Sequence, residues 1–327
     1  MQAIVVSNTE SLRTQYFIKA GQSLGIDTAF VSYDDLLQNP ALHQGKLVKL
    51  EPPFYEESEL ARYNILNNDY RELLSFLKEN KDLYFLNSPE AILKTLDKLY
   101  TKQLLKELRQ TPVLNFEGND LISLMNFMDE MSLHSVFIKP RFGSGAGGII
   151  ALRKKPGGRK LVAYTSLKKT NEKIFNTKQI NRLTGITEIT VLVNFIMQAG
   201  ALVEEWVAKE SFMDQPYDLR VVCQFGEVKH IVVRCSKGAI TNLHLNNNAV
   251  LYSDLQLSES CISNINEICV KVNDILGLSY SGIDVLIAKG TETPYIIEVN
   301  GQGDHIYQDI FDKNLIYKEQ LLLKVKS

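Results

Sequence analysis

The 327-residue chain is 45% hydrophobic and 23% charged, enough apolar material for a sizeable core and for more than one lobe. Its formal net charge of -2 and pI near 6.3 provide no long-range attraction to nucleic acid or anionic lipid, so neither is expected as a partner. No run of about 18 apolar residues occurs, and residues 1–7 lack the basic region and cleavage site of a signal peptide. A soluble, cytoplasmic protein is expected. The four cysteines (Cys223, Cys235, Cys261 and Cys269) form no C-x-x-C pair and are read as reduced structural thiols. The scattered histidines have no zinc-site spacing.

Residues 3–7 (AIVVS) have the pattern of a buried strand, 11–24 of a helix closed by Gly25, and 28–33 of a second strand. This β-α-β opening predicts an open α/β lobe over residues 1–88, without the G-x-G-x-x-G of a dinucleotide site. Residues 58–80 have helical period and 84–86 read as a short strand. Asn87-Ser88-Pro89 starts a helix that runs to about residue 108 with a break near Asp97.

A second unit, 89–206, combines this helix with a small lobe. That lobe has a helix over 119–132, strands over 135–140 and 149–153 around a glycine loop, a polar turn over 154–160 and a strand over 161–166. The polar segment 171–186 is expected to be mobile. The apolar run 187–197 fits helix or strand by period, and Gly200 after it favours a helix. Strands over 201–207, 218–225 and 228–234, a helix over 258–276 and a strand pair over 282–288 and 294–299 follow, mostly within a third unit, 207–327.

Two segments carry candidate chemistry. In IKPRFGSGAGGIIALR, two apolar strands flank Gly143, Ser144, Gly145, Ala146, Gly147 and Gly148, and Lys139 stands at the entrance. Glycine lets backbone amides approach phosphate oxygens, although a plain hairpin loop also explains it. The G-K-[ST] ending of a Walker loop is missing. In SGIDVLIAKGTETPYIIEVNGQG, a turn centred on Thr291 places Asp284 across from Glu298, and alternation puts Asn300 on the face of Glu298. Opposed carboxylates inside an apolar hairpin repel unless cations join them, and three hard oxygen ligands suit magnesium. Between these segments, Arg220 and Arg234 fall on adjacent strands, where forked permanent cations suit a transferring phosphoryl group.

Lys98 in LDKLYTKQLL, Lys139 with its loop, EEWV at 204–207, DLR at 218–220, Arg234, TNLH at 241–244 and the D…E-V-N of 284–300 follow the order of motifs in ATP-grasp enzymes. In detail the chain resembles the RimK-like carboxylate–amine ligases and their peptide-modifying relatives over about residues 87–303. The resemblance implies an ATP-grasp fold of α/β character, with an N-terminal open lobe, a central lid and a C-terminal antiparallel sheet. It implies ATP bound with two magnesium ions, which manganese could replace. Lys98 and Lys139 would hold the α- and β-phosphates under the lid of residues 143–148. Glu204, Glu205 and Val207 would line the adenine hinge, with Trp206 packing nearby and Glu210 reaching the ribose. Asp284, Glu298 and Asn300 would hold the metal, and Arg220, Arg234 and Asn242 would surround the γ-phosphate and an acyl-phosphate.

The implied reaction joins a carboxylate substrate to an amine acceptor, an amino acid, peptide or protein terminus, and the resemblance also implies a homo-oligomer. A phosphotransferase acting on a hydroxyl and a nucleotide-binding protein without activity are the alternatives. The chain departs from its relatives at Leu245-Asn246-Asn247-Asn248 and at Gly301-Gln302-Gly303-Asp304-His305, both on the acceptor side. Glutamate transfer is therefore not implied. The basic turn Lys154, Lys155, Arg159 and Lys160 is read as a solvated hairpin tip.

Overall fold

The computed structural model describes residues 2–143, 147–155, 160–235, 240, 248–303 and 315–326, with the side chains of 178, 248–251 and 323–326 excepted. Among these residues lie three sheets, each with helices against it.

The first sheet has the order β2-β1-β3-β4 and is parallel throughout. Its strands are β1 (Gln2–Ser7), β2 (Asp27–Ser32), β3 (Leu47–Leu50) and β4 (Tyr84–Phe85), connected through α1 (Leu12–Ser23), α2 (Tyr33–Gln38) and α3 (Leu60–Leu77). Parallel neighbours require crossover helices, and α1 begins in a capping box in which Ser11 and Thr14 satisfy each other's backbone amides. The expected strand–helix–strand start is present. The strand β3, whose four residues are all buried, was not anticipated.

Pro89 opens α4 (Pro89–Leu96), and Asp97 ends it and caps α5 (Lys98–Leu104). The expected break near Asp97 is thus a real joint. Beyond α6 (Leu121–Glu130), the second sheet runs β8-β7-β6-β5-β9. Its strands are β5 (Ser135–Pro140), β6 (Ile150–Lys154), β7 (Leu161–Thr170), β8 (Lys173–Leu183) and β9 (Ala201–Glu205), with α7 (Ile186–Gln198) preceding β9. Leu124, Met128, Ile189, Leu192, Val193 and Ile196 of the two helices pack on Val136, Ile138, Ile150 and Leu152 of the sheet.

The expectation of a mobile segment over 171–186 is corrected here. Residues 173–183 are the edge strand β8, hydrogen-bonded to β7 along a register that shifts between Thr165 and Leu167. Lys173, Gln179 and Arg182 are exposed, as an edge strand allows, and Ile174 supplies a buried anchor. The amide of Asn176 also donates to Ser58 O at 2.8 Å, tying this edge to the segment before α3.

The third sheet is antiparallel in the order β13-β12-β11-β14-β15, with β10 (Ser211–Phe212) also paired to β11. It comprises β11 (Gln215–Gln224), β12 (Glu227–Cys235), β13 (Asn248–Leu251), β14 (Tyr280–Ile287) and β15 (Pro294–Asn300). One face packs on α8 (Glu259–Leu276) through Ile265, Ile268, Cys269, Val272 and Leu276. All four cysteines are buried and unpaired, and burial pushes the Cys223 thiol up to about 12, the Cys261 thiol up to about 11 and the Cys269 thiol well above its ordinary value. The final helix, α9 (Leu315–Lys326), returns to the first sheet, where Tyr317 and Leu321 pack on Ala3, Val5, Phe17 and Ala20.

Candidate active site

The face of the third sheet opposite α8 carries the acidic hairpin. In register, Arg220 lies beside Asp284 and Asp284 beside Glu298, so three adjacent strands present one row of charge. A bulge follows Asp284. Arg234 sits opposite Asp218 and two positions from Val232, the partner of Arg220, which puts both arginines on this face.

Arg234 Nε donates to Asp218 Oδ1 at 2.6 Å, and its Nη2 lies 3.2 Å from Asp284 Oδ1. Arg220 Nε stands 2.8 Å from the same Oδ1 without the alignment of a hydrogen bond, while its Nη1 donates to Gly303 O at 3.2 Å. Lys209 Nζ reaches Asp218 Oδ2 at 2.9 Å. Burial raises the pKa of Asp284, and Arg220 and Arg234 only partly offset it. Burial alone would lower the Arg234 pKa, but Asp218 and Asp284 overturn it and hold the guanidinium charged. Gly282 makes room for this arrangement. A Cβ there would fall 2.3 Å from Gly303 O and 2.6 Å from Arg220 Nη1.

A second cluster faces the row from α5 and the second sheet. Lys98, at the start of α5, donates to Gly143 O and lies 3.5 Å from Glu298 Oε1. It therefore touches both the root of the glycine loop and the acidic hairpin. Lys139 on β5 is ion-paired with Glu204 Oε2 on the neighbouring strand β9, and Lys102 Nζ stands 3.2 Å from Glu204 Oε1. Burial would raise the carboxyl pKa values of Glu204 and Glu298, yet lysines prevail in both. Lys102 and Lys139 depress Glu204, while Lys98 and Lys139, with Arg220, depress Glu298.

The anticipated residues do not all converge. Lys98, Lys139, Arg220, Arg234, Asp284 and Glu298 come together. Asn300 joins the same hairpin face, with its Nδ2 donating to Gly282 O at 3.3 Å. Gly143 and Gly148 both have positive φ, and a Cβ on Gly148 would fall 2.6 Å from Pro140 Cγ. Ser144, Gly145, Ala146, Asn242 and the segments 241–247 and 304–314 lie outside the described residues.

In the segment expected to form the hinge, Glu205 is exposed, and its amide donates to Pro112 O at 2.8 Å. Trp206 stacks against Phe137, with ring centroids 5.0 Å apart, and lies under the Arg153 guanidinium. Val207 is half-buried beside it. Two placements differ from expectation. The Glu204 carboxylate, anticipated to line the adenine hinge, is instead buried between two lysines. The Glu210 carboxylate, anticipated at a ribose, accepts from the amides of Ser211 and Gly290 at 3.0 and 2.9 Å and so caps the β14–β15 turn.

Lys102, Asp218 and Asp97 are the residues that sequence reasoning missed. Lys102 follows Lys98 by one helical turn in TKQLL, a spacing that hints at a shared face. Asp218 belongs to the DLR motif itself. Asp97 accepts from Arg141 through both oxygens, at 2.8 and 2.7 Å, and so fixes the loop root to the α4–α5 joint.

The donor set fits a hard divalent cation bound with a polyphosphate. Asp284 and Glu298 are paired across the strands, Asp284 Oδ1 is buried without an aligned hydrogen bond, and Asn300 adds an amide oxygen. Among the described residues, no three His, Cys, Asp or Glu side chains form a metal cage by themselves, so ligand oxygens would have to complete the shell.

Lysines at the root of the glycine segment, the strand β9 beside them and the acidic antiparallel hairpin agree with the ATP-grasp arrangement that the motifs imply. Residues 94–322 match the model of the YheC/D like ATP-grasp family, and the chain belongs to that family. The membership read from the motifs agrees with this. A comparison with curated proteins finds no significant match. Among solved structures, the chain is similar to the D-cycloserine synthetase DcsG, with 12% identity, 99% of each chain covered and a TM-score of 0.66. It is also similar to the macrocyclase MdnC bound with precursor peptide MdnA from Microcystis aeruginosa MRC (13% identity, 100% of both chains, TM-score 0.62). A third similar structure is a RiPP-associated ATP-grasp ligase of Chryseobacterium gregarium in complex with ADP and a leader and core peptide, at 14% identity and a TM-score of 0.59, covering 100% of this chain and 98% of that one. At these identities the likeness concerns the fold, which extends over the N-terminal lobe as well. No helix among the described residues is long and apolar enough to cross a membrane.

Proposed function

We propose that the chain is an ATP-dependent carboxylate–amine ligase. The observation that carries this reading is the contact of Lys98 with both the glycine-loop root and Glu298, which sets a phosphate-type cradle directly against the acidic row. A carboxylate oxygen of the substrate attacks the γ-phosphorus of ATP and ADP departs, leaving an acyl-phosphate. An amine then attacks the acyl carbon, and inorganic phosphate leaves as the amide forms.

Lys98 and Lys139 bind the phosphate chain, and the loop 143–148 covers it and excludes water. The hinge backbone of 205–207 takes the adenine. Arg220 and Arg234, held by Asp218 and Asp284, present fixed positive charge where the transferring phosphoryl group develops negative charge. Asn242 is assigned to the same end. Asp284, Glu298 and Asn300 would hold two magnesium ions, replaceable by manganese, which neutralise the triphosphate. We take a peptide as the carboxylate or amine partner, since two of the similar structures hold peptides. We further place the enzyme in the cytoplasm, in keeping with its buried unpaired thiols, and take it to be a homo-oligomer as the family resemblance implies.

The reading is tested by an ADP-release screen over amino acids and peptides with mass spectrometry of the products. The expected product gains the acceptor minus water, with free phosphate released. A phosphorylated product without free phosphate would identify a phosphotransferase instead. Glu298→Gln should lower turnover roughly a hundredfold or more while leaving the melting transition in place. Undiminished activity in that variant would remove the metal assignment.

A further inference from the structure

Glu204 holds two ammonium groups at once, and the two are not equivalent. Lys139 is ion-paired with Oε2. Lys102, only 3% exposed, lies 3.2 Å from Oε1 without an aligned hydrogen bond, and donates instead to Ile296 O on β15 at 2.5 Å. Glu204 Oε1 is therefore a buried acceptor with an ion-pair contact but no aligned donor. The two lysines also come from different elements. Lys139 stands on β5, the strand that leads into the glycine loop, whereas Lys102 is anchored on α5 against the acidic hairpin.

This asymmetry bears on what happens when a phosphate arrives. Lys139 must turn from Glu204 to the incoming anion, and a buried carboxylate that loses its sole cation is left uncompensated at large cost. Lys102 removes that obstacle, because it is already within ion-pair distance and has a better-aligned bond to Oε1 still to make. We propose that Lys102 is a positioning residue which holds the charge of Glu204 so that Lys139 can be handed over to the nucleotide phosphates. This inference rests on the ATP-ligase reading of the site. It assigns Lys102 no contact with substrate and no part in the chemistry.

The test measures MgADP affinity by titration calorimetry in the full-length protein, so no acceptor is needed. Lys102→Met keeps the stem and removes the charge, and Lys102→Gln also keeps a donor for Ile296 O should the first variant fold poorly. Without Lys102, Glu204 retains Lys139, and both variants should bind MgADP about tenfold more weakly, the loss of one charge-assisted bond. In Lys102→Met/Glu204→Gln the competing carboxylate is gone, and affinity should return most of the way to the wild-type value. A purely structural lysine would show no such rescue. Equal affinity in the wild type and both single variants, or a double variant as weak as the singles, would overturn the proposal. A wild-type protein that binds neither MgADP nor MgATP would instead overturn the ligase reading, and this inference with it.

Discussion

The two ionic clusters that meet at the site are built from different cations and behave differently. On one side Lys98, Lys102 and Lys139 surround Glu204 and Glu298. On the other, Arg220, Arg234 and Lys209 brace Asp218 and Asp284. Each has three cations and two carboxylates, so net charge does not separate them. Attachment does. The arginines project from neighbouring strands of one sheet, their planar forks tied to specific oxygens by strand register. The lysines reach in from a helix and from a second sheet on flexible stems, and each is a point charge that can change partner. The arginine group is a fixed template for charge that develops during reaction. The lysine group can be rearranged by what binds.

If that contrast holds, the largest structural penalty belongs to the arginine side. Asp284→Asn leaves Arg220 and Arg234 facing a neutral amide, and breaking a buried pair in this way costs about 3–5 kcal/mol. Chemical denaturation of the variant reads this directly, and a transition like the wild type's would show that the template is not electrostatically held. Arg234→Lys is the sharper comparison. A single ammonium cannot serve Asp218 and Asp284 with the geometry of the fork, and a loss of about 2 kcal/mol in stability is expected. Were lysine tolerated there without loss, the fork would be irrelevant and the two clusters would not differ in kind.

On the lysine side the effect should shift from stability to ligand affinity. Lys98 is partly exposed, and its 3.5 Å contact with Glu298 is loose. Lys98→Met should change the melting temperature little, while MgADP binding weakens by about tenfold. A variant that melts early but binds nucleotide normally would reverse the assignment.

How far these clusters could be read from sequence depends on how local their causes are. The pairing of Asp284 with Glu298 within a short hairpin was readable without a structure. The register next to the turn (Val285 with Ile296) would, however, carry Asp284 to Ile297, and it is the bulge after Asp284 that sets it against Glu298. The joint at Asp97 and the helix 259–276 were readable because capping residues and period lie within the segment. Lys102 and Glu204 were not. Nothing near Lys102 distinguishes it from a surface lysine, because the carboxylate that compensates its burial is about a hundred residues away in the chain. The strand β8 was hidden by its composition, since an edge strand with one wet face needs few apolar residues. Glu210 sits close to its motif position, yet the turn at Gly290 claims its carboxylate, a competition that only the folded chain reveals.

The smallest effect is expected at an ion pair outside both clusters. Arg141 and Asp97 form a bidentate pair, with contacts of 2.8 and 2.7 Å. The Arg141 side chain is nevertheless 41% exposed, so water and salt screen the attraction. Arg141→Ala should therefore cost only about 0.5–1 kcal/mol, and even that difference should shrink when the denaturation is repeated in concentrated salt. Asp284→Asn, shielded from solvent, should keep its penalty under the same conditions. If both losses faded together, the buried template would be exchanging freely with solvent, and burial would be the wrong explanation for its rigidity.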